Sequence, residues 1–209
     1  MARTKSSDAW LREHFDDEFV KRAQKEGFRS RAVYKLIEID QRDHLLTPGM
    51  TVIDLGAAPG GWSQYAKQRV GARGRVVALD LLPMPPVAGV EFIQGDFAEQ
   101  GALDLLLSTL NGAPVDLVIS DMAPNISGIA VSDQAKTMYL AELALDFAQQ
   151  CLRPKGQLLI KTFQGDGFTE LYKRLQAGFS KVITRKPHAS RARSREIYLL
   201  GKAFHGANI

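Results

Sequence analysis

From Val52 onward, short apolar runs alternate with stretches of helical periodicity, and this alternation constrains the fold more than any other feature of the sequence. Runs such as Val-Ile-Asp-Leu and Leu-Val-Ile-Ser are continuously apolar, which is typical of strands covered on both faces. A regular order of strand and helix predicts an α/β fold with a doubly wound parallel sheet and right-handed crossovers. Ligands of such sheets bind at the carboxyl ends of the strands.

Seven segments are expected to form strands: Thr51–Leu55, Arg75–Asp80, Glu91–Gln94, Val115–Ser120, Gln157–Thr162, Lys181–Thr184 and Glu196–Gly201. Helical patterns lie near residues 61–70, 98–110, 132–151 and 167–178. The last two strands are separated by a basic loop without helical periodicity, so we expect the final strand to be antiparallel.

Residues 8–46, ahead of the sheet, are expected to be helical, with Ser30 capping a helix. The 209 residues show no repeat and no linker. We therefore expect one domain over residues 1–209, in which a basic helical segment, residues 1–46, packs on a core of residues 47–203.

The charge of the chain is uneven along its length. The net charge is +3 over residues 1–35, −5 over residues 36–180 and +6 over residues 181–209. Basic flanks attract polyanions, and an acidic centre suits a cationic or hydroxyl-rich ligand. The alternative is that these charges form ordinary solvated faces.

Several classes of protein are disfavoured by what the sequence lacks. No stretch approaches the roughly 18 apolar residues of a membrane span, and the first 15 residues lack the apolar core of a signal peptide. We expect a cytoplasmic protein without a membrane partner. The single cysteine, Cys151, excludes an internal disulfide, and the four histidines have no metal-ligand spacing, so we expect no metal site.

The first strand runs into a glycine-rich turn, Asp54–Ser63, with the sequence Asp-Leu-Gly-Ala-Ala-Pro-Gly-Gly-Trp-Ser. The spacing fits neither a phosphate-binding loop nor the Gly-x-Gly-x-x-Gly fingerprint of dinucleotide folds. Asp80 ends the second strand, where a carboxylate can accept from ribose hydroxyls, and Asp96 follows the third strand, where it can meet an adenine edge. Asp54, Asp80 and Asp96 together suit S-adenosylmethionine as cofactor, although a glycine turn and helix-capping aspartates are the structural alternative.

The segment after the fourth strand, Ser120–Asn125, argues against methylation of a base. Its Asp-Met-Ala-Pro sequence lacks the Asp/Asn-Pro-Pro-aromatic pattern that clamps a flipped base at its amino group. Carbon methylation needs a cysteine nucleophile, and Cys151 lies at a helix end before a turn.

Lys161 lies inside the apolar run Leu-Leu-Ile-Lys-Thr-Phe. A lysine in a strand buried on both faces is costly unless it is paired, so Lys161 either lies at the strand tip or is functional. We expect a functional lysine with partners at neighbouring strand ends. Asp121 and Glu196 are the candidate partners. Lys35, on the preceding helix, is by itself more often a solvated helix lysine.

These motifs closely resemble the FtsJ family of RNA ribose 2′-O-methyltransferases. The resemblance covers residues 8–202 and rests on the segments 54–63, 120–125, 160–165 and 190–196, with Arg29-Ser30-Arg31-Ala32 in the helical segment. It implies a Rossmann-like methyltransferase fold with a seven-stranded, mostly parallel sheet, an antiparallel last strand and helices on both faces. The family's catalytic tetrad falls on Lys35, Asp121, Lys161 and Glu196. Its cofactor positions fall on Gly60, Trp62, Asp80, Asp96 and Asp121.

The compact length is similar to that of the bacterial member, which methylates a uridine ribose in the A-loop of 23S rRNA. This implies a monomer that acts on RNA in the large ribosomal subunit and contributes to ribosome biogenesis. Phosphates are expected to contact basic residues at the two ends of the chain: Arg29, Arg31, Arg191, Arg193 and Arg195.

Three alternatives remain open from the sequence. The chain could methylate another RNA, such as a tRNA or a cap, or bind RNA as an assembly factor without catalysis. A nicotinamide oxidoreductase is disfavoured by the missing Gly-x-Gly. Whether Lys161 acts as a neutral base or as a charged group that stabilises the developing alkoxide also stays open.

Overall fold

A computed structural model describes residues 17–125, 127–191 and 194–206. It contains a single sheet whose seven strands are β1 (Thr51–Leu55), β2 (Arg75–Asp80), β3 (Val90–Gln94), β4 (Val115–Ser120), β5 (Leu152–Phe163), β6 (Phe179–Arg185) and β7 (Glu196–Phe204). Their spatial order is β3-β2-β1-β4-β5-β7-β6. β7 is antiparallel to both of its neighbours, and the other strands run in one direction. The predicted fold class and the antiparallel last strand are confirmed.

Six helices cover the sheet within the described residues: α1 (Glu18–Glu26), α2 (Val33–Asp43), α3 (Gly61–Val70), α4 (Gln100–Leu110), α5 (Ala130–Cys151) and α6 (Phe168–Gly178). None of these helices combines the length and apolar character that spanning a bilayer requires.

The sheet separates two apolar cores, which explains why its strands are apolar on both faces. One core joins α1, α2 and α3 to side chains such as Val52, Leu117 and Leu159. The other joins α4, α5 and α6 to side chains such as Ile53 and Val118. Neighbouring residues of one strand therefore enter opposite cores, as the pleat of a strand requires. The helical segment ahead of the sheet is part of the first core.

Strand boundaries differ from expectation mainly at β5. This strand begins at Leu152 rather than at Gln157, and its register against β4 shifts between Val115 and Leu117. The turn-like sequence Arg-Pro-Lys-Gly is thus absorbed as an irregularity inside the strand, with Lys155 at a φ of 67°. A register irregularity of this kind accommodates extra residues without breaking the pairing that follows.

Ser30 does not cap α2 as expected. The helix begins at Val33 after Ala32, and no side chain caps it. Its first N–H groups instead donate to the main-chain carbonyls of residues 30–32 through a turn that leads into the helix. A turn of this type satisfies the free donors at a helix start, so a capping side chain is not needed. Residues 8–16, also expected to be helical, lie outside the described residues.

Candidate active site

A cleft of 470 Å³ opens at the carboxyl ends of the central strands. One wall is formed by the glycine-rich turn after β1 and by the residues that follow β2 and β3, and the other by the segment after β4 and by α5. The polar or charged side chains that line it are Asp80, Asp96, Asp121, Asn125, Lys136 and Tyr139. The cleft therefore lies where ligands of doubly wound sheets bind.

Asp80 and Asp96 both line this cleft with carboxylates that have acceptor capacity left. The two carboxylate oxygens of Asp80 accept from the main-chain N–H groups of Ala58 and Leu82, each at 2.8 Å. Asp96 accepts from the N–H of Ala98 at 2.9 Å. Because a carboxylate offers about four lone-pair sites, both residues can accept further hydrogen bonds from a ligand. The carboxylates are thus held in place by the backbone and remain available to hydroxyl or amino groups.

Backbone conformation explains the glycines of the turn. Gly56 has a φ of 76°, and a Cβ there would lie 2.8 Å from the Met122 side chain. Gly60 has a φ of 103° and immediately precedes α3. Both positions need glycine, since side chains are strained at such φ values and would also clash.

Gly60 and Trp62, two of the expected cofactor residues, are not among the residues that line the cleft. Trp62 is buried, donates from Nε1 to the Ala32 carbonyl at 2.8 Å, and packs against Tyr198 at a ring distance of 5.8 Å. Its indole therefore joins helix α2 to the sheet. The main-chain N–H of Trp62 lies in the first turn of α3, where N–H groups have no partner within the helix.

Asp54, the third carboxylate of the sequence pattern, is fully buried beneath the turn. Its Oδ2 accepts from the Ser63 hydroxyl at 2.5 Å, and its Oδ1 has no hydrogen-bond partner among the described residues. Burial raises the pKa of the Asp54 carboxyl to about 7, against the lowering effect of Ser63, and the negative charges of Asp121 and Asp80 raise it further. Asp54 thus supports the turn from below and is not itself a wall of the cleft.

Sheet register brings three of the four tetrad residues together. Ser120 of β4 pairs with Ile160 of β5, so that Asp121 and Lys161 follow as neighbours. Glu196 opens β7, which runs antiparallel beside β5. The fourth residue, Lys35, comes from α2, which covers this face of the sheet.

The tetrad side chains form a chain of alternating charges. Lys161 Nζ lies 3.0 Å from Asp121 Oδ1 and also donates to the Asp121 main-chain carbonyl. Lys35 Nζ lies 2.8 Å from Glu196 Oε1 and 3.8 Å from Asp121 Oδ1. Lys35 and Lys161 are each 8% exposed. The expectation that buried Lys161 has a carboxylate partner is met, and Lys35 is not a solvated helix lysine.

Tyr198 is a member of this cluster that the sequence pattern did not indicate. It pairs with Lys161 across β5 and β7, is fully buried, and donates from its hydroxyl to Asp121 Oδ1 at 2.6 Å. The Lys35 ammonium lies 5.8 Å from the centre of its ring. The position of Tyr198 two residues after Glu196, on the same face of the strand, is the signal that could have identified it.

Asp121 is the electrostatic centre of the cluster. Burial opposes its ionisation, but the positive charges of Lys161 and Lys35 and the hydrogen bond from Tyr198 outweigh that cost and lower the pKa of the carboxyl. Burial and the charge of Asp121 raise the pKa of Tyr198 well above its ordinary value, so this residue is a neutral donor. The site therefore holds an ionised carboxylate between two ammonium groups.

Two of the arginines expected to contact RNA have their guanidinium groups engaged within the protein. Arg31 Nε lies 2.8 Å from Asp17 Oδ2, and its Nη2 donates to the Ala189 carbonyl at 2.8 Å. Arg29 donates to the carbonyls of residues 59, 85 and 86. These contacts arise because α1, α2 and the loops beside them pack against the glycine turn and the segment before β7.

The remaining three arginines lie in the basic loop before β7. Arg195 is exposed, Arg191 is partly buried, and Arg193 lies outside the described residues. The neighbouring cation Lys186 donates to the carbonyls of Ser194 and Glu196, which ties the two ends of this loop together. Arg195 is therefore the clearest candidate here for a phosphate contact.

Cys151 lies at the opposite end of the sheet from the tetrad, at the junction of α5 and β5. Burial raises the pKa of its thiol to about 12. A thiol with such a pKa is a poor nucleophile at neutral pH, which agrees with the expectation that carbon methylation is not the chemistry of this chain.

Comparison with known proteins identifies relatives along the whole chain. Residues 28–204 match the model of the FtsJ-like methyltransferase family. The proteins named ribosomal RNA large subunit methyltransferase E from Methylobacillus flagellatus and Marinobacter nauticus are 60% and 59% identical. These matches cover 96% and 99% of this chain, and 97% and 100% of the relatives.

Solved structures agree with the fold. A structure described as a ribosomal RNA methyltransferase from Plasmodium falciparum has a TM-score of 0.78 and 31% identity, and the match covers 86% of this chain and all of that one. Fibrillarin from Aeropyrum pernix, solved with bound S-adenosylmethionine, has a TM-score of 0.56 at 15% identity over 83% of this chain and 74% of its own. The second likeness concerns the fold alone. The sheet, the cleft and the extended sequence match lead to one conclusion: the chain belongs to the FtsJ-like methyltransferase family.

Proposed function

We propose that this protein transfers a methyl group from S-adenosylmethionine to the 2′-hydroxyl of a ribose in large-subunit ribosomal RNA, with a uridine of the A-loop as the target. The observation that carries the proposal is the position of Lys161. Its ammonium is buried at a strand end, beside a cleft lined by carboxylates, and it is fixed by the two oxygens of one residue, Asp121. A buried, oriented cation beside a cofactor cleft suits chemistry at a hydroxyl group.

The residues of the cleft fit the proposed cofactor. Asp80 has the acceptor capacity for the two ribose hydroxyls, and Asp96 for the amino group of adenine. The three carboxylates Asp80, Asp96 and Asp121 give the cleft a negative character that favours a positively charged sulfonium. S-adenosylmethionine, when bound, supplies an electrophilic methyl group.

Lys161 is proposed to bind and orient the 2′-hydroxyl. An ammonium has three N–H donors, and two of them are directed at the carboxylate and the carbonyl of Asp121. One donor then remains for the substrate oxygen. We therefore favour Lys161 as the group that holds the hydroxyl and stabilises its developing negative charge, with the proton leaving late in the reaction.

Lys35, Glu196 and Tyr198 are proposed to hold this arrangement in place. Glu196 pairs with Lys35 at 2.8 Å, and Tyr198 donates to the same Asp121 oxygen that lies beside Lys161. Because Lys35 lies 3.8 Å from Asp121, its charge adds to the positive potential around the substrate oxygen. A fixed set of charges needs little reorganisation during the reaction. This preorganisation lowers the activation free energy in such sites.

Ribosomal RNA as the substrate is supported by the names of the relatives. Both are called ribosomal RNA large subunit methyltransferase E, and the matches cover nearly the full length of each. The basic loop before β7, residues 185–195, is proposed to hold RNA phosphates beside the tetrad, with Arg195 as an exposed contact. We also propose that the enzyme is cytoplasmic and monomeric and that it acts on the large ribosomal subunit.

One experiment tests the function directly. The protein is incubated with S-adenosylmethionine labelled in its methyl group and with free 23S rRNA, intact large subunits lacking the modification, or tRNA. The modified nucleotide is then mapped by mass spectrometry. We expect a single 2′-O-methylated uridine in large-subunit RNA and no transfer to tRNA. Label on a base, or on tRNA alone, would contradict the proposal, and RNA binding without any transfer would favour an assembly factor.

A further inference from the structure

The guanidinium group of Arg29 lies between two segments that border the cofactor cleft. Nη1 donates to the Pro85 carbonyl at 2.5 Å and to the Pro59 carbonyl at 3.3 Å, and Nη2 donates to the Pro86 carbonyl at 2.6 Å. Pro59 belongs to the glycine-rich turn, and the other two belong to the loop of residues 81–89 that joins β2 to β3. One side chain therefore connects this β2–β3 loop to the turn.

The β2–β3 loop is poor in hydrogen-bond donors where Arg29 meets it. Three of its nine residues, Pro83, Pro85 and Pro86, have no main-chain N–H. The loop therefore forms fewer hydrogen bonds within its own backbone, and its carbonyl groups can accept from a donor elsewhere in the protein. The planar guanidinium supplies several N–H groups in a fixed geometry, and it meets two consecutive carbonyls of this loop.

The main chain at Arg29 is hydrogen-bonded to helix α3. The Arg29 main-chain N–H donates to Gln64 Oε1 at 3.3 Å, and Gln64 Nε2 donates to the Gly27 carbonyl at 2.9 Å. Gln64 lies in the first turns of the helix that begins at the glycine-rich turn. The position of the guanidinium is therefore tied to the same element that shapes the cleft.

The β2–β3 loop forms part of the wall of the cleft. Leu81 and Leu82 line it directly after Asp80, and the Leu82 N–H donates to the Asp80 carboxylate. The two leucines are 57% and 61% exposed, so core packing does not fix their positions. Further along the loop, Met84 lies over Gly60, where a Cβ would come within 2.8 Å of its sulfur. The path of the loop thus determines where this wall lies.

We infer that Arg29 is a positioning residue for cofactor binding and not an RNA contact. By holding the carbonyls of residues 85 and 86 against the glycine-rich turn, it fixes the loop that carries Leu81 and Leu82 and orients Asp80. This inference rests on the proposed function, since S-adenosylmethionine is the ligand expected in the cleft. It replaces the role that the sequence pattern suggests for this arginine.

Two substitutions separate the contribution of the Arg29 charge from that of its geometry. Arg29→Ala removes both, whereas Arg29→Lys keeps the charge and loses the planar fork. We expect either variant to raise the Kd for S-adenosylmethionine, measured by calorimetry without RNA, on the order of tenfold for alanine and less for lysine. The KM for the cofactor rises with it, while kcat at saturating cofactor stays within about twofold of the parent. RNA affinity and its salt dependence stay unchanged.

Arg195→Ala is the matched control, because Arg195 is exposed and lies in the basic loop. This variant is expected to weaken RNA binding and to keep cofactor affinity. The inference is overturned if Arg29→Ala lowers RNA affinity and the salt slope while cofactor affinity is unchanged. It is also overturned if Arg29→Lys binds the cofactor as the parent does. The lysine variant preserves the charge, so it tests the geometry even where the alanine variant does not fold. Absence of cofactor binding by the parent protein would instead contradict the proposed function.

Discussion

Lys161 donates to two oxygens of a single partner, the carboxylate and the main-chain carbonyl of Asp121. Because these residues follow paired positions on adjacent parallel strands, the sheet itself sets their separation. The carbonyl cannot titrate and is not removed by a side-chain substitution. The orientation of the lysine therefore depends on backbone geometry as well as on charge, and this leads to the first prediction.

Lys161→Ala should reduce single-turnover methyl transfer on the order of 10²-fold or more, since it removes the group proposed to orient the hydroxyl and to stabilise its charge. Cofactor affinity should persist, because Asp80 and Asp96 are unchanged. Lys161→Arg should restore activity only in part, as the guanidinium cannot occupy the same point between the two Asp121 oxygens. The measurement is quench-flow transfer with enzyme in excess. Transfer by the alanine variant at nearly the parent rate would make Lys161 a structural lysine.

Tyr198→Phe should slow transfer by about tenfold, which corresponds to the loss of one hydrogen bond to a charged group, about 1.5 kcal/mol. The ring and its contact with Trp62 are retained, so the fold should persist. Tyr65→Phe is a matched control, because Tyr65 donates to the carboxylate of Asp40 at 2.7 Å, away from the tetrad. Equal rates for the two variants would show that the Tyr198 hydroxyl has no part in catalysis.

Asp80→Ala should raise the Kd for S-adenosylmethionine by about 10- to 100-fold, the scale of hydrogen bonds to a charged acceptor. It removes the acceptor proposed for the ribose hydroxyls and also releases the N–H groups of Ala58 and Leu82. Asp104→Ala, an exposed carboxylate of α4, changes the net charge equally and should bind the cofactor as the parent does. Calorimetry on the folded variants decides the outcome, and unchanged affinity for Asp80→Ala would remove this residue from the cofactor site.

Asp54 should make stability depend on pH in an unusual direction for a carboxylate. Burial raises its pKa to about 7 in the folded state, so the folded protein binds a proton that the unfolded chain has released above pH 4. The contribution of Asp54 to the free energy of unfolding should therefore fall by about 2 to 3 kcal/mol between pH 5 and pH 8.

Asp54→Asn, which keeps the shape and can donate to Ser63, should abolish this part of the pH dependence. Urea unfolding of both proteins at pH 5 and pH 8 measures the difference. We expect the variant to gain stability relative to the parent at pH 8. A constant difference between the two proteins at both pH values would contradict the raised pKa.

The sheet and the core of the site could be predicted because they follow from short-range patterns and from one strong energetic constraint. Apolar runs identify the strands, and a lysine inside such a run requires a charged partner at a neighbouring strand end. The role of Tyr198 was not predicted because an aromatic residue in an apolar strand is usually a core residue. Its spacing of two residues from Glu196 indicates the same face of the strand, and the register places it opposite Lys161.

The sequence could not reveal which basic residues are engaged within the protein. Arg29 and Arg31 resemble phosphate ligands in a basic segment, but they bind main-chain carbonyls up to 158 positions away along the chain, and Arg31 also pairs with the Asp17 carboxylate. Ser30 likewise resembles a helix cap, and a turn of backbone hydrogen bonds takes its place. The contacts of Arg29 and Arg31 depend on how loops meet after folding, and no local pattern encodes them.

The position of β7 has a consequence for the order in which the enzyme becomes active during synthesis. Within the described residues this strand follows all the others in sequence, yet in the sheet it lies between β5 and β6, and β6 pairs with no other described strand. It also brings Glu196 and Tyr198 to lysines made more than 30 residues earlier. A chain that ends before residue 196 therefore has the carboxylates of the cleft but lacks Glu196 and Tyr198 of the cluster. We expect methyl transfer to begin only once β7 has joined the sheet.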